Sequence, residues 1–587
     1  MPDNKKITPA GRRAMILREK RRTLMGRSPE KAVEAILNAE RPVELVHSFP
    51  EEDLYLLVNE VGHQDALPIL ALASARQWEY MLDMDVWKGD TVEPLATTKW
   101  FSVLMTADPD RFARWCSREK KVFTELFLQR NIDVATREED QDPADLGKDF
   151  ITIDDVFYFR VKNLPAEYAP GPGAESDTEV ESEADAAYER LKEQRDTFFP
   201  ELLQRIATHD VQLYRDLLLE AASVIPAETE EALYRMRNVR LAEKGFLPLE
   251  EAVGVYQPID PQDLRGRPVK YIERGGEPLL SAPLSVGALL EKDGPFSKAL
   301  AEIDRSRVAM QLQSEIAGLC NSIIVADGKT IHTREELGEI VKKACGYINV
   351  GLESLEDNHR QLIQTYPLAD IFRVGFGRAL ALKWKADAWQ RGSWYARAGL
   401  PLHFWGETLM GVVGGLLIKK PLFFDNYATG TVYREFQTCE DIRRTEEMLD
   451  RTISFDKLFS RLSLEKISGH AGSLLNYKNL LLTLWTAHSQ GLKEYPAVIS
   501  TVPLDVFKTF FEQLWDMTSN PPTIKPARKN DFMGWISSAS GLSRDTLAQE
   551  LGSAFEELFQ EIEENYARVS AKNIDPRFMQ LFRVAAP

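Results

Sequence analysis

The chain has 587 residues, 44% of them apolar and 28% charged, and a net charge of -18. That length exceeds one compact core and points to roughly three or four domains, built from an ordinary globular composition. The surplus of acid repels nucleic acid and anionic lipid over most of the surface, which sets nucleic acid aside as a main partner.

Residues 1–28 form a basic N-terminal arm, with nine Lys or Arg against Asp3 and Glu19. Thr8-Pro9 reads as a helix start, because Pro at the first helical position gives up only an amide that has no partner there. A basic helix of this kind suits an anionic partner, or the protein's own acidic body. The arm lacks an apolar run long enough for a signal peptide.

Residues 29–135 read as an N-terminal superhelical domain of short stacked helices. In "SFPEEDLYLLVNEVG" (Ser48 to Gly62), Ser48 and Glu51 stand at capping-box spacing. Leu54, Leu57, Val58 and Val61 then make one apolar stripe, and Gly62 supplies a left-handed stop. The acidic triplet sits where the helix dipole favours it, which accounts for the stretch without catalysis. Ser74 and Gln77 form a second box ahead of Trp78, Met81 and Leu82, and "DALPILALA" places Pro68 in a first turn. Helices this short are stable only when neighbours stack.

Residues 136–186 change character. "DFITIDDVFYFRV" alternates aromatic and β-branched residues about Asp154-Asp155, a β-hairpin pattern. "PAEYAPGPGAESDTEVESEADAA" is rich in Pro and Gly and then in acid, and reads as a disordered linker. Helices resume over 187–265, with Gly245 closing one of them. A small hairpin is expected across Gly275-Gly276.

The central helical domain, 266–462, holds a long helix ending at Asp327-Gly328. A third capping box, Thr333 with Glu336, leads a stripe of Leu337, Ile340, Val341 and Ala344 that Gly346 is expected to end. "LADIFRVGFGRALALKWKADAW" reads as one long helix. The C-terminal helical domain, 463–587, includes a helix with Leu547, Leu551, Phe555, Leu558, Phe559 and Ile562 on one face. The expectation is an all-α, multi-domain array of short stacked helices with one or two small β-hairpins.

Chemical signatures fail on spacing. "ADGKT" ends like a phosphate loop but has Ile323 where a Gly is required, and "RVGFGRAL" sits in a helix with Leu380 at the third glycine position. Neither HExxH nor GxSxG occurs. The eight histidines are scattered, and His470 with Ser473 in "SGHAGS" does not make a triad. Gly411 and Gly415 suit close packing or backbone approach to a ligand. Cys116, Cys320, Cys345 and Cys439 form no CxxC, which argues against disulfides and cysteine-rich zinc and fits a reducing cytoplasm. The longest apolar run, near Thr408 to Ile418, is about half a membrane span. No catalytic residue, metal ligand or cofactor is assigned. The one mixed basic–aromatic cluster, Arg373, Arg378, Trp384, Lys385, Arg391, Trp394 and Arg397, is a candidate phosphate or nucleotide surface or a core stripe with snorkelling bases.

"VADGKTIHTREE" resembles helix-loop-helix segments of tellurite-resistance-type domains. Over residues 42–118, "FPEEDLYLLVNEVG", "DALPILALA" and "SARQWEYMLDMDVW" resemble the N-terminal cytoplasmic superhelix of MgtE-type magnesium transporters, related to FliG. The resemblance implies a short-helix superhelix, and ion transport does not carry over without the transporter's membrane part. Across "RLAEKGFLPLEEAVGVYQPIDP" and "GLESLEDN" the chain is similar to a bacterial family of unknown function. Together these readings lead to a cytoplasmic helical scaffold that acts through protein partners. The alternatives are a divalent-cation-responsive module and a nucleotide- or phosphometabolite-binding enzyme.

Overall fold

The computed structural model describes residues 9–138, 141–163, 179–267, 294–303, 307–462, 464, 475–492 and 501–585. Helices dominate, joined by a few short strands. The expected linker between 164 and 178, the hairpin about Gly275-Gly276, and His470 with Ser473 lie outside the described residues.

The arm is a helix from Pro9 to Met25. Its far end is tied down. Arg21 and Leu24 are buried, Asp53 draws on the Arg21 guanidinium, and Arg13 pairs with Glu44. Short helices follow at Pro29–Leu37, Pro42–His47, Glu51–Val61, Leu67–Leu72 and Ala75–Asp85. Four more elements, Pro94–Ala107, Pro109–Arg114, a π turn at Trp115–Glu119, and Lys121–Asn131, complete the array. Four of these helices begin on a proline.

The Ser74–Gln77 capping box is present in both directions. The Ser48–Glu51 box is not. Ser48 closes the preceding helix, its hydroxyl donating to the Leu45 carbonyl at 2.6 Å, and Pro50 is the cap residue. The reason is Pro50 itself. With Ser48 as cap, Phe49 would be the first helical residue, and a residue before proline is pushed out of the helical region. Gly62 does end the helix with a positive φ of 92°.

The hairpin at Ile151–Thr152 and Phe157–Val161 forms, with a third strand, Ile132–Thr136, pairing on the other side of Phe157–Val161. Asp154 caps the turn, accepting from the amides of Val156 and Phe157 at 3.1 and 2.9 Å. The acidic tail assigned to the linker instead starts a helix, Glu179–His209. Its Glu- and Ala-rich sequence without Gly or Pro favours helix over disorder.

At the centre, Arg334–Leu355 and Leu368–Gly392 pack along each other. Thr333 and Glu336 form the expected box, but Gly346 does not end its helix. A Cβ at Gly346 would lie 2.6 Å from the Phe436 carbonyl oxygen, one at Gly351 2.2 Å from that of Ile371, and one at Gly375 1.9 Å from that of Tyr347. These glycines let backbone meet backbone. Gly411 leaves room for the Phe424 ring, and Gly415 for the Leu422 carbonyl and the Tyr433 ring, Phe424 and Tyr433 being paired on neighbouring strands.

Two apolar cores result. One runs from Leu24 to Leu449, and the other from Tyr395 to Val584. The helix Cys439–Arg461 joins them, placing Ile442 and Leu449 in the first and Phe455, Leu458 and Phe459 in the second. None of the four cysteines is in a disulfide. Among the described residues no helix is long and apolar enough to cross a membrane.

Candidate interaction surface

Pro226–Glu243 is a helix of 18 residues with only Glu230 and Leu241 buried. Its inward face mixes ion pairs with apolar packing, Leu241 lying in the core, Leu233 against it and Tyr234 against Trp87. Glu230 accepts from both Arg130 guanidinium nitrogens at 2.8 and 2.7 Å and from the Val92 amide at 2.6 Å. Those donors hold its carboxyl below the usual range against the upward push of burial. Further along, Arg237 donates to the Asp83 carbonyl at 2.7 Å and lies over the Trp87 ring. Arg240 makes a two-pronged pair with the Asp83 carboxylate, both bonds 2.8 Å. Burial nevertheless leaves Asp83 raised, Arg240 offsetting only part of the desolvation. One turn on, Lys244 reaches Glu51 and, at 3.5 Å, Glu52.

The ionic positions 230, 237, 240 and 244 therefore face the superhelical array together with the apolar Leu233, Tyr234 and Leu241. The outward stripe is Ala232, Met236 and Val239, with Met236 59% and Val239 63% exposed. An ordinary surface helix has one apolar stripe, turned inward, and this helix carries a second one on its solvent side. Before this ridge in the chain Leu219 and Ile225, and after it Leu249 and Val253, are exposed as well. Its rim is acidic, since Glu220, Glu228, Glu231, Glu243, Glu250 and Glu251 are exposed. The cations of the segment are held in ion pairs or hydrogen bonds, Arg235 among them on the surface. Arg215 donates to Asp154 at 2.6 Å, Arg237, Arg240 and Lys244 bind the array, and Arg235 pairs within its own helix to Glu231.

Beside the ridge lies a cavity of about 170 Å³. Its walls are Leu82, Trp87, Phe123 and Leu233, with Val122 and Met236 at the mouth. Pockets for metabolites run to roughly 300 Å³ or more, whereas this one suits a single apolar side chain of a partner. Beneath its edge, burial first and then the hydrogen bond and charge of Glu220 push Glu125 up to about 7.

The helix Glu51–Val61 is a junction. Asp53 lies by Arg21 of the arm, Glu51 and Glu52 hold Lys244, and Glu60 binds Arg334. Tyr55 donates to Asp85, which also accepts from the Trp100 indole at 2.9 Å and lies 3.6 Å from His332. The acidic triplet thus bonds three regions of the chain together.

A second ionic group surrounds Asp327, the acid of "ADGKT". It accepts from Tyr256 at 2.6 Å and from Lys343 at 3.1 Å, and it binds Lys420. Lys343 reaches Glu435 at 2.8 Å, and Glu435 accepts from Tyr347 at 2.9 Å. Among the described residues no cluster of three or more His, Cys, Asp or Glu is placed to hold a metal ion.

The basic–aromatic cluster spreads around its helix. Arg373 donates to the Gln257 carbonyl at 2.7 Å and pairs with Asp370. Lys385 pairs with Glu446 and Asp450 at 3.2 and 2.7 Å, and Trp394 stacks on Phe459. Arg378, Trp384, Arg391 and Arg397 are exposed. None of the seven lines the cavity beside the ridge.

Sequence reasoning missed the ridge because it took this segment only as a helix closed by Gly245 and assigned none of its faces. The signal that marks it is the cation series Arg237, Arg240 and Lys244 on the opposite face.

A family model described as Family of unknown function (DUF6178) matches residues 10–585. No curated protein and no solved structure matches the chain.

Proposed function

The chain belongs to this family of unknown function, so kinship supplies no activity, and from the surface itself we propose that the protein is a helical scaffold that binds another protein chain. The observation that carries this is the helix Pro226–Glu243, strapped to its own body by ion pairs while Met236 and Val239 stand in solvent. Contiguous exposed apolar surface with a polar rim marks interaction sites. The adjoining cavity gives a partner's apolar side chain a place to anchor. The test is capture from native lysate with wild-type chain and with the double variant Met236→Lys, Val239→Lys. A partner retained by the first and lost by the second supports the proposal. Equal capture by both, or capture by neither, removes it.

Two other readings are separable. The short-helix array from Pro29 to Asn131 has the grammar likened to MgtE-type cytoplasmic domains, which suggests a response to Mg²⁺. That response is checked by titrating Mg²⁺ against thermal unfolding. An anion surface on Leu368–Arg397 is checked by thermal shift with nucleotides and phosphorylated metabolites. An unchanged midpoint removes the corresponding reading.

A further inference from the structure

The ridge is an apolar surface rimmed by acid, so its complement is an apolar stripe rimmed by base. The chain carries such a surface itself. On the helix Pro9–Met25, Met15 and Ile16 are exposed at 61% and 52%. Around them Arg12, Arg18, Lys20 and Arg22 are exposed too. The buried contacts of this helix, Arg21 and Leu24, lie in its last two turns, so its first half, where Arg13 pairs with Glu44, still projects Arg12, Met15 and Ile16 to solvent. The two helices have 17 and 18 residues and are therefore of similar length, about 25 Å each.

We propose that the occupant of the ridge is the N-terminal helix of a second copy of this chain, in a two-fold dimer where each arm lies on the partner's Met236–Val239 ridge. This rests on the protein-interaction proposal above and names its partner. In a two-fold pair the contact is made twice, arm on ridge and ridge on arm, and it closes without extending into fibres. Overall like charge opposes self-association. The charge is unevenly placed, however: nine Lys or Arg fall within the first 28 residues, and the six rim glutamates of the ridge are exposed. Opposite patches then meet, which steers encounter and sets register. Charges of this kind are screened within about 10 Å at 0.1 M salt, so the dimer weakens as salt rises.

Sedimentation velocity on the full-length chain tests this. Wild-type chain is expected to be dimeric at low salt and to dissociate at high salt. The ridge variant, Met236→Lys with Val239→Lys, and the arm variant, Met15→Glu with Ile16→Glu, are each expected to dimerise at least about tenfold more weakly. All four residues are exposed, and circular dichroism with thermal unfolding confirms that the variants fold. An equimolar mixture of the two variants is the decisive arm. One contact keeps both wild-type faces and the other sets glutamate against lysine, so dimer is expected to return. A wild-type monomer at all concentrations, or a dimer untouched by either variant, overturns the proposal. If that monomer still shows ridge-dependent capture of a lysate protein, the self-pairing fails and the interaction proposal stands. If it shows none, both fail.

Discussion

The helix pair Arg334–Leu355 with Leu368–Gly392 and the strapped helix Pro226–Glu243 solve the same problem in opposite ways. The pair is closed by absence: Gly351 and Gly375 carry no side chain where the facing carbonyls sit. Apolar side chains fill around that contact, with Tyr347, Phe372 and Phe376 mutually edge-on or stacked. The strapped helix is closed by charge, through Arg130–Glu230, Arg240–Asp83 and Lys244–Glu51. The first arrangement spends its apolar surface inside. The second keeps Leu233 and Leu241 inside but leaves Met236 and Val239 outside. Ionic straps specify position strongly while contributing little net stability, which is what an exposed ridge needs from its mount.

The comparison breaks most visibly at Gly375. Gly375→Val drives new carbon atoms into the Tyr347 carbonyl, where even a Cβ would stand at 1.9 Å. Helix backbone cannot move aside as a side chain can. The expected loss is about 3 kcal/mol or more, seen as a large fall in the denaturation midpoint. Gly377→Ala is the control, since its Cβ would meet Pro258 Cβ at 3.1 Å and otherwise only ordinary contacts at 3.6 Å or more. A small effect at Gly375 would mean that the two helices are not in backbone contact.

The strap should be weaker. Arg240→Ala removes both donors from a buried Asp83 carboxylate, and we expect a cost of about 2 kcal/mol. The carboxyl can take up a proton, which limits the damage, and burial has already raised it. Proteolysis or hydrogen exchange should show loosening confined to the strapped helix, with the central pair unaffected. If the whole chain unfolds in one step at lower denaturant, the strap belongs to the main cooperative unit and the contrast between the two regions is wrong.

How far the sequence revealed this follows the reach of each interaction. The Ser74 and Thr333 boxes were legible because both partners lie within three residues of each other. Ser48 misled because the box pattern ignores the proline between its ends. Gly346 misled because a glycine in a helical stripe signals either a stop or a close neighbour, and that neighbour, Phe436, is far away in the chain. The strand Ile132–Thr136 was absorbed into the helical array because five residues give too little pattern and its partner lies across a long loop. The ridge was the least legible, since periodicity finds a stripe without saying which side faces in. Only the long-range partners Arg130, Asp83 and Glu51 fix that orientation.

The region beside the strap also carries a pH dependence near neutrality. Glu125 is raised to about 7 by burial first and by Glu220 second, with Lys121 pulling the other way. The folded state therefore holds a proton that the unfolded state releases near 4.5. This contribution to stability is fully present below pH 4.5 and is lost as pH rises through about 7. Glu125→Gln mimics the protonated form in both states. We expect it to match wild type in acid and to exceed it in mild alkali by about 1 kcal/mol, a figure allowing for solvent screening. Unfolding midpoints of the two proteins measured across that range check it. A constant difference would show that Glu125 does not titrate there.

The smallest expected effect is the most informative about the ridge. Met236→Ala and Val239→Ala remove side chains that are 59% and 63% exposed. Exposed substitutions away from special features usually change stability by no more than about 0.5 kcal/mol. On a conventional amphipathic helix the residues of its one apolar stripe are core, and truncating a core methionine costs about 2–5 kcal/mol. Measured in chain kept monomeric by high salt, a near-zero result therefore distinguishes an outward stripe from an inward one without any partner in hand. A loss of several kcal/mol would place Met236 in the core, turn Pro226–Glu243 the other way round, and leave Arg237, Arg240 and Lys244 in solvent. The strap, the ridge and the paired-copy arrangement all depend on that one orientation.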